Sequence, residues 1–163
     1  MQKTLSCVQS VEAAAILFEL NTRKDEIAGM SVHAALPQNP ETARTIYLEW
    51  LAFVHAAIVY ALMHKAPAAV VALYLRGTTE LLETYADVDT QNAHSFIDSV
   101  FTPYMECLVQ ERQKDCPTLF LRKVTGQDSP LACPASMRVV SGVMAMALCS
   151  IIDALGQYEM LAE

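Results

Sequence analysis

Residues 49–67 read EWLAFVHAAIVYALMHKAP, an almost unbroken apolar run with His55 in its middle and His64 near its end. Such a run belongs to a membrane span, to a buried helix of a core, or to the wall of a ligand site. A span needs about 20 consecutive apolar residues. The run from Leu51 to Met63 is 13 residues long and contains His55, with Arg44 and Glu49 close upstream and Lys65-Ala66-Pro67 directly after it. A buried core helix is therefore expected, and no membrane span.

Upstream, Asn39-Pro40-Glu41 offers a capping side chain, a proline suited to the first helical position and an acid near the positive helix end. This predicts a helix from about Pro40 to Lys65. At 100° per residue, Tyr47, Leu51, Val54, Ile58, Ala61 and Leu62 gather opposite Glu49, while Phe53, Ala56 and Tyr60 fall near the Glu49 side. A helix apolar all round has neighbours on both sides.

The flanking segments also read as helices. Ser6 and Gln9 have capping-box spacing. They open a helix to about Asn21, with Val8, Val11, Ala14, Ala15, Leu17 and Phe18 at helical intervals. A mixed connection follows, with one short helix stopped at Gly29. After Pro67, Val71, Tyr74, Leu75, Thr78, Leu81, Leu82 and Tyr85 form a stripe, and the short turn makes this helix a neighbour of the one before. Asp89 or Thr90 then caps a helix carrying Ala93, Phe96, Ile97, Val100, Phe101, Tyr104 and Leu108, in which Pro103 should cause a kink or break. Residues 113–133, with two prolines, a glycine and the β-prone piece Leu119 to Val124, read as a long loop.

From Pro134 to Leu161 the chain is again apolar nearly throughout. On a helical wheel Gly142, Ala145, Cys149 and Gly156 share one narrow side with Arg138 and Asp153. Small side chains let helix backbones approach closely. This face belongs inside the fold, in a dimer interface, or in both. The fold class expected is all-α: a single domain, residues 1–163, forming an irregular bundle of about five main helices, with the helices from Pro40 and Pro134 at its centre.

Chemical signatures are scarce. There is no Cys-x-x-Cys, His-Glu-x-x-His or Glu-x-x-His pattern, no phosphate loop and no nucleophile elbow. No metal, cofactor or catalytic residue is assigned. His94 and Asp98 have the spacing of an exposed helix pair, and His64 lies one turn beyond Tyr60. Cys116-Pro117 and Cys133-Pro134 bracket the long loop, where structural thiols are the simpler reading. His55 needs a buried partner. It could line a pocket with Trp50 and Tyr60, which are the ligand-pocket candidates.

Hydrophobic residues make up 53% of the 163 and charged residues 18%, below the roughly 25% typical of soluble domains. Such a surface is short of polar cover, so a homo-oligomer, with a dimer favoured, is expected. The formal charge of −7 opposes nucleic-acid binding, which depends on Lys and Arg neutralising phosphates. Gln9 and Glu12 interrupt any signal-peptide core, and the odd count of five cysteines fits no secreted disulfide framework. A cytoplasmic protein is expected. It would act by protein–protein interaction, through self-association at Arg138, Gly142, Ala145, Cys149, Asp153 and Gly156 and through another protein partner. The alternatives are a small-molecule sensor or enzyme with a pocket near His55, and, less favoured, a membrane-peripheral protein.

Overall fold

The computed structural model describes residues 1–77, 80, 95, 97–126 and 134–163, without the side chains of 97 and 98. The distal part of the stripe from Thr78 on, the caps Asp89 and Thr90, the His94–Asp98 pair, Phe96 and Cys133 lie outside the described residues or side chains. The fold is all-α. Its elements run β1 (Lys3–Leu5), α1 (Cys7–Asn21), α2 (Lys24–His33), α3 (Pro40–Lys65), α4 (Ala68–Arg76), a π-helical turn (Ile97–Phe101), α5 (Thr102–Val109), α6 (Asp115–Thr125), α7 (Pro134–Gly156) and β2 (Tyr158–Met160). Seven α-helices stand among the described residues against about five main helices expected: the short helix of the first connection runs on to His33, and part of the expected long loop is helical.

The core is organised around α3, which begins and ends where its cap signals place it. Asn39 accepts from the Thr42 amide at 2.8 Å and Pro40 occupies the first turn. Every residue from Glu49 to Val59 is buried, because α1, α2, α4, α5, α6, α7 and the π-turn all pack on this helix. The apolar run 49–67 therefore belongs to a core helix. By length and composition alone both α3 and α7 could cross a membrane, but 78% of the most apolar stretch of α3 is buried inside the fold against 33% for α7.

The first helix starts with the expected reciprocal capping box, Gln9 N–H to Ser6 Oγ at 3.2 Å and Ser6 N–H to Gln9 Oε1 at 3.0 Å. Its buried line is Ser10, Ala14 and Phe18, and Val8, placed in the stripe by the sequence, is exposed. Gly29 does not stop α2. Ile27, Met30 and Ser31 are buried at helical spacing and carry the helix to His33, which offsets the roughly 1 kcal/mol that an interior glycine costs.

Residues 113–133 do not form one long loop. Asp115–Thr125 is a helix, not a loop. Pro117 stands in its first turn, where no intrahelical amide is needed. Cys116, Pro117, Phe120, Leu121 and Val124 bury one face, and Gly126 closes the helix at φ 67°, a left-handed position that suits glycine. Pro103 likewise starts a helix. The break it imposes is the π-turn before it, after which α5 resumes with proline in its first turn.

The last helix ends at Gly156 instead of Leu161. Tyr158–Met160 leaves it to pair in parallel with Lys3–Leu5, in the register Lys3 to Tyr158 and Leu5 to Met160. The Leu161 amide donates to the Leu5 carbonyl and the Cys7 amide to the Glu163 carbonyl, both at 2.9 Å. Three-residue strands have no periodicity to read, so no local pattern announces this pairing. At the other end of α7, Ser136 Oγ donates to the carbonyl of Ala34, fixing the start of α7 to the end of α2.

Candidate functional site

Trp50, His55 and Tyr60 sit on different sides of α3, and the structure does not gather them into one pocket. His55 is buried between Phe101 at 4.7 Å, Tyr74 at 5.4 Å and Phe18 at 6.4 Å between ring centroids. Its Nδ1 shares a hydrogen bond of 3.2 Å with the Tyr74 hydroxyl. Burial lowers its pKa to about 4, so the ring is neutral and joins α1, α3, α4 and the π-turn. Tyr60 is half-buried and packs at a tilt against His64, whose Nδ1 lies 2.9 Å from the Tyr60 carbonyl. Trp50 donates from Nε1 to the Asn21 carbonyl at 2.8 Å. It lines a cavity of about 280 Å³ with Ile27, Met30, Val143 and Met146, which neither His55 nor Tyr60 reaches.

A second polar cluster was not legible. Glu49 served as the reference for the polar side of α3, yet it is 4% exposed. Its Oε2 and the buried Tyr104 hydroxyl have no hydrogen-bond partner among the described residues. The two groups nevertheless lie close enough to influence each other's ionisation. Burial pushes the Glu49 carboxyl up to about 7, with Lys123 and Tyr104 offsetting part of that rise. Near Tyr104, the thiols of Cys107 and Cys116 lie close enough to influence each other, and burial raises both, Cys116 to about 12. These thiols are neutral at pH 7, which disfavours nucleophilic or redox chemistry. One signal could have found Glu49: a helix apolar all round has no polar side to hold a lone carboxylate.

The self-association candidates are brought together. Arg138, Gly142, Ala145, Cys149 and Asp153 are exposed along one ridge of α7, with Gly156 half-buried at its end. The opposite line, Val140, Met144, Ala147, Leu148, Ile151 and Leu155, is buried where α7 meets α3 and α6. Met146 adds a large apolar side chain to the outer surface, at 74% exposure. On one flank of the ridge lies the Trp50 cavity. On the other is a groove of about 400 Å³ lined by Ala145, Leu148 and Cys149 with Phe53 and Pro117. The apolar band is thus wider than the ridge.

Comparison with protein-family models, with curated proteins and with solved structures finds no match to this chain.

Gly142 separates the demands of the fold from those of the ridge. A Cβ built there meets nothing within 4 Å, so nothing within the described chain requires glycine in the middle of α7. Gly142→Ala is expected to stabilise the isolated chain by about 0.5–1 kcal/mol, measured by urea unfolding at low protein concentration. A loss of stability would reveal a packing role inside the fold.

Proposed function

We propose that this chain is a cytoplasmic, self-associating helical protein that works by protein–protein interaction, as an adaptor or regulator, with the outer ridge of α7 as its self-association face. The observation that carries this reading is the burial contrast between its two most apolar helices: 78% of the most apolar stretch of α3 is buried in the fold, against 33% for α7. The exposed side of α7 is built from small residues with Met146 protruding beside them, a face that a second helix can approach closely. The neutral thiols and the packed His55 supply no reactive group to compete with it.

A small-molecule role is the second reading, moved from His55 to the cavity beside Trp50. At about 280 Å³ that cavity is near the lower limit of ligand pockets, roughly 300 Å³, which ranks it behind the interaction role. Sedimentation velocity over a wide concentration range, with native mass spectrometry, tests both. The expected result is a dimer of unmodified chains. A chain that stays monomeric at high concentration refutes self-association, and a retained small mass turns the assignment to the cavity.

A further inference from the structure

We infer that two copies of the chain pair their α7 helices antiparallel, about a twofold axis passing between Ala145 and Met146, so that Arg138 of each copy meets Asp153 of the other. This rests on the self-association reading and adds its register and orientation.

The charges on the ridge set the register. Arg138 and Asp153 stand at opposite ends of the same exposed ridge, fifteen residues apart, or about 22 Å along a helix. They cannot reach each other within one chain, and neither forms an ion pair among the described residues. A twofold interface is self-complementary: whatever one copy's residue meets, the other copy's meets in return. Antiparallel pairing centred midway between the two charges makes both Arg138–Asp153 contacts at once. Parallel pairing would put Arg138 against Arg138 and Asp153 against Asp153, which is repulsive at both ends. The antiparallel arrangement also opposes the two helix dipoles.

The same register pairs small residues with larger ones. Gly142 faces Cys149 of the second copy, and Met146 faces Ala145. Gly142, with no internal reason to be glycine, becomes the point of close backbone approach. Met146, too exposed to belong to this chain's core, lies over an alanine beside the grooves flanking the ridge. The charge positions set the axis, and the glycine and the protruding methionine are accommodated by it.

Dimer dissociation constants of the full chain, measured by sedimentation, test the register in Arg138→Asp, Asp153→Arg and the double variant. All substituted side chains are exposed, and circular dichroism verifies each fold. Either single substitution turns two attractive contacts into repulsive ones and should weaken the dimer by about tenfold or more. The double variant restores complementarity and should recover most of the affinity. A wild-type dimer indifferent to both single changes overturns the register while leaving self-association intact, whereas a monomeric wild type overturns both.

Thiol oxidation supplies an independent readout. In the inferred register two Cys149 residues are offset by about 10 Å along the axis, beyond the reach of a disulfide, while Ala145→Cys brings two thiols together at the axis. An interchain disulfide in A145C, located by peptide mapping, is expected. A Cys149–Cys149 disulfide in the wild type would establish parallel pairing instead. Flotation with zwitterionic or anionic lipid vesicles in place of dimerisation would assign the ridge to a membrane surface and refute the pairing.

Discussion

Glu49→Gln is expected to stabilise the protein increasingly as pH rises, with the gain over the wild type about 3 kcal/mol larger at pH 8 than at pH 4. In the folded chain burial holds the Glu49 carboxyl at about 7 against an ordinary 4.5. Between those values the folded state keeps a proton that the unfolded state has released. Stability must therefore fall as pH rises through this window, by roughly 1.4 kcal/mol per pH unit, and level off above it. Glutamine cannot ionise, so the variant loses this slope. Any constant cost of burying the amide cancels when the two pH values are compared. Chemical unfolding of both proteins at pH 4, 6 and 8 gives the result. A difference independent of pH would mean that Glu49 titrates normally and is more solvated than its position on α3 implies.

The same residue marks where sequence reasoning stopped. The path of α3 was legible because cap chemistry and apolar periodicity are local properties: Asn39, Pro40 and the run to Lys65 define the helix without reference to its neighbours. Which side of it receives α5 and α6 is not local. Tyr104 and Phe120 cover the Glu49 and Trp50 side, with Trp50 and Phe120 6.2 Å apart between ring centroids, and no wheel drawn on α3 alone can place them. Prolines misled for a related reason. Pro117 read as a breaker because its position in a turn was unknown, yet in the first turn of α6 it starts the helix. The ridge of α7 was legible as a pattern, since its small residues share one side by spacing. Its exposure depended on how much of α7 the fold leaves uncovered.

His55→Asn should produce the opposite pH signature to Glu49→Gln. Burial lowers the His55 pKa from 6.5 to about 4, so between those values the unfolded chain takes up a proton that the folded chain refuses. Wild-type stability contributed by this site is full above pH 6.5 and is lost as pH falls toward 4, by about 3 kcal/mol in all. Asparagine can keep a hydrogen bond to Tyr74 but gives up the ring packed against Phe101 and Phe18, which should cost about 2–3 kcal/mol at pH 7. Toward pH 4 that deficit should shrink almost to nothing, because the variant no longer resists a proton. The windows of Glu49 and His55 overlap from pH 4.5 to 6.5 with slopes of opposite sign, so in the wild type they nearly cancel and each variant unmasks the other group. The Glu49 variant should gain stability with rising pH there, and the His55 variant should lose it. A deficit in His55→Asn that is equal at pH 4 and pH 7 would mean that His55 titrates alike in the folded and unfolded chains, and the neutral, enclosed ring joining α1, α3, α4 and the π-turn would be the wrong description.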